Sequence, residues 1–183
     1  KDIADACAEV EHFARSVYFG EPGGNTLEIE YYDPQAAAEG RTIARAHWQR
    51  ELSEAEFPGR GYVPQALTHG TLECNDKDAA AAFYRDVLGL EIAGGGRISV
   101  YVKHPATPWY IVVLPIRKRK KLLGPANRFT LTVASRDEVE RAHREISRLS
   151  STETMPIESR DEHSSFIFAD PDRNWWEVAA KRA

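Results

Sequence analysis

Residues 163–178 read HSSFIFADPDRNWWEV: an imidazole at the start, two aspartates around a proline in the middle, and a carboxylate, Glu177, near the end. Residues 15–30 read RSVYFGEPGGNTLEIE and have the same layout, closing on Glu28. Imidazole and carboxylate are the side chains that move protons near neutral pH or hold a divalent ion. Other chemistries find less support. Cys7 and Cys74 match no metal-ligand spacing and suggest reduced thiols of a cytosolic protein. The run GGGR at 94–97 is too short for a phosphate-cradling loop, and no Ser/His/Asp spacing suggests a nucleophilic triad. His12, His47, His104 and His143 read as surface residues.

Whether either glutamate ligates anything depends on the elements that carry it. The 183 residues, 42% hydrophobic and 28% charged, suffice for one or two small domains with a core. No window approaches a membrane span, and no signal-peptide pattern opens the chain. A net charge of −4 argues against a protein built mainly to bind nucleic acid. The basic run 117–121 reads as a solvated loop.

The chain is built from copies. Shifted by 149, Tyr18-Phe19-Gly20-Glu21-Pro22 falls on Ile167-Phe168-Ala169-Asp170-Pro171, and Glu28 falls on Glu177. Shifted by 66, Ser99–Val102 falls on Ser165–Phe168 and Trp109-Tyr110 on Trp175-Trp176, which puts Ile111 in the place of Glu177. Each copy reads as strand, turn, strand, because Pro presets φ while Asp, Asn and Gly tolerate turn geometry. A second unit repeats at a shift of 59: HGTLECNDKDAAAAFYRDVLGL (69–90) lies over RFTLTVASRDEVERAHREISRL (128–149). Each begins as a strand and becomes a helix. Ser135 and Glu138 spell a capping box, followed by Val139, Ala142, Ile146 and Leu149 at helical spacing. In the first copy Asp78 is the expected cap, Phe83 and Val87 share a face, and Gly89 ends the helix.

The pattern therefore predicts an α+β chain with two βαβββ modules, 68–115 and 126–181, within a domain at 66–183. Residues 1–33 form a partial module, with a helix at about 2–12 and the strand pair. Residues 34–65 connect, with a short helix capped by Thr42. The partial module and the opening Lys1 predict a natural product longer at its N-terminus.

LTHGTLECNDKDAAAAFYRDVLGLE and FIFADPDRNWWEV, set in paired βαβββ modules, resemble the vicinal oxygen chelate superfamily of glyoxalases, bleomycin- and fosfomycin-resistance proteins and extradiol dioxygenases. The resemblance covers about 66–181 well and 13–33 partly. A half-module, a linker and a module pair look most like the C-terminal part of an extradiol-dioxygenase-like chain. The resemblance implies two sheets curled into one cup with helices outside, and a divalent metal, Fe or Mn, held from the first and last strands of each module. Those positions map to His69 and Ile111 in one module, and to Arg128 and Glu177 in the other. His69 and Glu177 are then the metal ligands. Arg128 stands where extradiol enzymes carry a second His, and a guanidinium has no lone pair to give. The simplest alternative is an Arg128–Glu177 ion pair in the vacated site. Ile167 stands where the pattern has a Tyr, and Arg173 replaces the usual Gly of its turn.

Strand alternation turns Thr71 and Glu73 to the same side as His69, and Thr130 and Thr132 to the same side as Arg128, with Leu72, Cys74, Phe129 and Leu131 toward the helices. Tyr101, Trp109, Ile111, Ser165, Ile167 and Trp175 are expected to share the face of Glu177, giving an aromatic-lined pocket. Three readings follow. In the first, a metal-dependent enzyme holds its ion on His69 and Glu177, Arg128 neutralises a substrate oxygen, and His163 moves protons. Thr71, Tyr101, Trp109, Thr130 and Trp175 then contact the substrate. In the second, a metal-free protein sequesters a small molecule. In the third, a scaffold forms a homodimer through the cup edge. Cytoplasmic location, a small-molecule partner, and no nucleic-acid or membrane partner complete the expectation.

Overall fold

The computed structural model describes residues 14–20, 22, 25–32, 54–56, 58–59, 67–107, 109–116, 123–160 and 163–181. The expected helices at 2–12 and after Thr42, the basic run 117–121, and Cys7, His12 and His47 lie outside them. Among the described residues no helix is long and apolar enough to cross a membrane. The chain divides into two compact units, Lys1–Thr68 and His69–Ala183.

The first unit contributes a short 3-10 turn, Glu54–Glu56, and an antiparallel hairpin of β1 (Ala14–Gly20) and β2 (Thr26–Tyr32). Tyr18 pairs with Glu28 across the hairpin.

The second unit holds two βαβββ modules. The first runs β3 (His69–Cys74), α1 (Lys77–Asp86), β4 (Glu91–Gly95), β5 (Val100–Lys103) and β6 (Tyr110–Pro115). The second runs β7 (Arg128–Thr132), α2 (Arg136–Ser147), β8 (Glu153–Thr154), β9 (Glu158–Arg160), β10 (His163–Ala169) and β11 (Trp175–Lys181). Their strand orders correspond, β3-β6-β5-β4 and β7-β11-β10-β8, with β9 added beside β10. In each, the first strand pairs parallel to the last, and the remaining pairs are antiparallel.

Local chemistry fixes the helices. The N-cap of α1 is Asp76, whose carboxylate accepts the N–H groups of Asp78 and Ala79; Asp78, the expected cap, lies in the first turn. Asp76 wins because it is the last extended residue. The core side of α1 is Ala80, Phe83 and Tyr84, while Val87 points outward, 37% exposed. Gly89, at φ +69°, lets the Leu90 N–H return to the Tyr84 carbonyl and close the helix end. In α2 the Ser135 hydroxyl accepts the Glu138 N–H, and the Glu138 carboxylate accepts the N–H of Ala134, one residue earlier than a standard capping box. Val139 and Ile146 are buried as the spacing requires.

The core lies between the helices and one face of each sheet, and it runs across the module seam. Phe129 touches both Trp109 and Trp176, and Trp176 touches Tyr84. A Cβ on Gly70 would come within 2.9 Å of the Phe129 ring, so the first strands of the two modules meet there. The turn at 170–174 locks the seam. Asp170, 2% exposed, accepts five hydrogen bonds, from the Tyr84 hydroxyl, the Trp176 indole, the Asn174 amide, and the backbone of Asp172 and Asn174. Asn174 also donates to the Glu73 carbonyl, and Asn75 donates twice to Asp172. Burial pushes the Asp170 carboxyl up and these donors pull against it; burial and the Asp170 charge push the Tyr84 phenol strongly up.

Both the seam and its turn can be tested by unfolding. Tyr84→Phe takes one donor from a buried carboxylate and lowers stability by about 1.5–3 kcal/mol, read in urea with an unchanged m-value. Arg173 sits at φ +65° in the same turn and makes only an exposed ion pair with Glu153. Left-handed backbone costs a non-glycine residue roughly 1–2 kcal/mol, against about 0.4–1 kcal/mol of extra unfolded-state freedom for glycine. Arg173→Gly therefore raises stability by up to about 1 kcal/mol in the same assay; a loss above that size would contradict the strain.

Candidate functional site

The polar faces of the two sheets are those turned away from the helices. On β7 the exposed residues are Arg128, Thr130 and Thr132, while Phe129 and Leu131 pack into the core. β11 runs parallel beside it, with Trp175 opposite Arg128 and Glu177 opposite Thr130. β10 then places Ile167 opposite Glu177, with Ser165 and His163 further along the same face.

Glu177, 9% exposed, is the centre of this face. Its Oε2 accepts the Arg128 Nε–H at 3.0 Å and the Thr130 hydroxyl at 2.9 Å, and the nearby Ser165 hydroxyl also favours the ionised carboxylate. Arg128 also donates from Nη1 to the Pro125 carbonyl at 3.1 Å. The His163 Nε2 lies 3.2 Å from the Ser165 oxygen. Either group can be the donor of that pair, according to the imidazole tautomer. Arg128 and Thr130 are thus bonded directly to Glu177, and the His163–Ser165 pair lies beside them on the same face. Burial pushes the Glu177 carboxyl up, but the bonds from Arg128, Thr130 and Ser165, together with the Arg128 charge, outweigh it and hold the carboxyl below the usual range.

This arrangement does not suit a metal ion. The Glu177 Oε2 is engaged by two protein donors, and the neighbouring guanidinium is cationic without a lone pair. Among the described residues, no group of three His, Cys, Asp or Glu side chains able to hold an ion includes Glu177. The expected Arg128–Glu177 ion pair is what the site contains.

The other sheet corrects one expectation. His69 lies opposite Tyr110, and Thr71 opposite Val112, which pairs in turn with Tyr101. The His69 and Tyr110 rings stack at 5.2 Å, and Tyr101 lies 5.5 Å from Tyr110. Trp109 and Ile111 face the other way: Ile111 is in the core, and Trp109 packs on Phe129. The counterpart of Glu177 is therefore Val112, and that of Trp175 is Tyr110. The cause is turn length. Val102 pairs with Ile111 where Phe168 pairs with Trp176, so the first turn is one residue longer, and one residue reverses every side chain beyond it. Tyr110 and Ser165 join His69, Thr71, Tyr101, Arg128, Thr130, His163, Trp175 and Glu177 on the polar faces. A count of residues between the paired strands is the signal that finds Tyr110.

A carboxyl held low when folded stabilises fully above its unfolded value, 4.5 for glutamate, and that stabilisation is lost as pH falls through the lower folded value. Glu177→Gln should therefore cost about 1–3 kcal/mol at neutral pH. The gap from wild type should shrink as pH falls below 4.5. Urea unfolding curves collected from about pH 3 to about pH 7 read this slope.

A search of curated proteins finds no match. Solved structures similar to this chain include the fosfomycin resistance protein FosX of Listeria monocytogenes complexed with Mn(II) and sulfate. It is 21% identical, the match covers 65% of this chain and 92% of that one, and the TM-score is 0.54. A glyoxalase-related enzyme from Fulvimarina pelagi is 16% identical, over 64% of this chain and 89% of that one, with a TM-score of 0.54. FosX from Mesorhizobium loti is 15% identical, over 64% and 93%, with a TM-score of 0.52. At these identities the likeness establishes the fold, the vicinal oxygen chelate arrangement of paired modules. A family profile matches residues 66–178, which span the two modules, and the chain belongs to the Glyoxalase/Bleomycin resistance protein/Dioxygenase superfamily.

Proposed function

We propose that this chain is a metal-independent member of its superfamily that holds a small molecule on the polar faces of its cup. The observation that carries this reading is the Glu177 carboxylate, engaged by Arg128 and Thr130 in the position where the superfamily resemblance places a metal ligand. Val112 at the corresponding position of the first module supports it further, because an isopropyl group ligates nothing. The FosX of Listeria monocytogenes is described with Mn(II); of this chain's four mapped positions only His69 and Glu177 carry ligand-type side chains, and Glu177 is bound by Arg128.

Tyr101, Tyr110 and Trp175 supply flat apolar surface, and Thr71, Thr130 and Arg128 supply polar groups. Such a mixture suits a planar small molecule. In this reading His163 holds Ser165 beside the Glu177 site rather than moving protons. Binding without turnover, as in sequestration, needs no more than these groups provide.

The test is a titration of anaerobic apoprotein with Fe(II) and Mn(II), in wild type and in Glu177→Ala. No saturable micromolar binding is expected in either. Micromolar binding in wild type that vanishes in the variant sinks the proposal and restores the metal-dependent enzyme, with Fe or Mn on His69 and Glu177.

A further inference from the structure

Arg128 does more than neutralise Glu177. A guanidinium carries five N–H groups in one plane. Here the Nε–H goes to Glu177 and one Nη1–H to the Pro125 carbonyl. These two contacts fix the plane from two sides, one a carboxylate and one a main-chain oxygen. The side chain is nevertheless 31% exposed, against 12% for Glu177, so it is not closed off from solvent, and three of its N–H groups are not used by these two contacts. A fork held in this way is pre-organised, and the ordering cost of its long side chain is already met in the free protein.

The surroundings indicate what that edge can receive. In register with Arg128 on the adjacent strand is Trp175, 8% exposed, with its indole N–H satisfied by the Leu123 carbonyl. Its one polar group is therefore spent, and only ring carbon is left for a ligand beside it. On the seam side, the first strands of the two modules meet at Gly70 and Phe129, one residue beyond His69 and Arg128. Those two residues hold matching positions, each beside an aromatic residue of the last strand, Tyr110 or Trp175.

We infer that the outer N–H edge of Arg128 is an oxyanion-binding subsite and that the cup takes a planar carboxylate, its two oxygens on the guanidinium and its apolar body beside Trp175. The inference rests on the metal-independent reading above. Glu177 keeps its own bond to Nε, so the ligand displaces nothing; it completes the fork bidentately. Because Glu177 offsets the charge, recognition depends on the geometry of the fork more than on net attraction. A lysine in place of Arg128 would carry the same charge without that geometry.

The probe is sodium benzoate, with benzamide as its neutral isostere, added to the ¹⁵N-labelled full chain. Benzoate should shift the Trp175 indole and Arg128 Nε–H signals saturably, with a Kd on the order of 1 mM for so small a ligand. Benzamide should bind at least about tenfold more weakly, and Arg128→Lys should weaken benzoate by a similar factor. Equal shifts with benzoate and benzamide, or benzoate binding undiminished in Arg128→Lys, would overturn the inference, as would no shift with benzoate. The wild-type comparison stands whether or not the variant folds. Mn(II) added separately keeps the two ideas apart. Absence of both metal and benzoate binding removes only the carboxylate subsite, whereas micromolar Mn(II) binding dependent on Glu177 removes the reading beneath it.

Discussion

The carboxylate of Asp170 is the constraint around which the second unit is organised. It is removed from water and surrounded by five donors, three of them on side chains. A buried carboxylate without donors is so costly that its partners must all be in place together. One of them, Tyr84, belongs to the helix of the other module, 86 residues away in the chain. Trp176 and Asn174 belong to the strand and turn that follow. Satisfying one side chain thus fixes the angle of α1, the shape of the turn and the start of β11. Glu177 is the next residue after Trp176, so the position of the site is inherited from this turn.

The same turn explains why register matters more here than propensity. Beyond each strand–turn–strand the side chains alternate, and a change of one residue in the turn exchanges the core set for the polar set. The second module reaches β11 with Trp176 inward and Glu177 on the polar face. The first module has the longer turn and reaches β6 with Ile111 inward and Val112 on the polar face. The two modules agree in strand order and in helix placement, yet their last strands carry different chemistry because of one turn residue and one substitution.

Register also separates what is legible in the amino-acid sequence from what is not. The paired modules, the two helices, the alternation on β3 and β7 and the Arg128–Glu177 contact are legible, because each follows from a period or from a residue type in a known place. Asp76 in place of Asp78 as the cap of α1 is a matter of two nearby acids, separable only by where the extended backbone ends. The face of Trp109 is hidden because the aromatic pair Trp109-Tyr110 aligns with Trp175-Trp176 in a gapless shift, which conceals the added turn residue. The bond from Tyr84 to Asp170 has no local signature: both types are common, and only the folded seam brings them together. Parity puts Ser165 on the correct face, but its pairing with His163, two residues earlier on the same strand, depends on side-chain rotamers that strand pattern does not specify.

The replacement of a metal ligand by arginine is better described as an exchange of one kind of cation for another. A divalent ion draws lone pairs from several side chains and can leave; a guanidinium brings its own donors and is covalently fixed. Glu177 remains satisfied under either arrangement, so the substitution leaves no buried charge without a partner, and the sheet needs no other adjustment. What changes is the outward face of the site. An ion offers open coordination positions at which bound oxygen ligands are polarised; Arg128 offers a flat edge of N–H groups that can orient an oxyanion and cannot accept electron density from it. In the metal-independent reading proposed above, a cup with that edge keeps a means of recognition and has no ion to activate what it holds. In that reading both consequences come from the same residue, and Thr130, which holds Glu177 in place, serves the shape of the site without bearing on its chemistry.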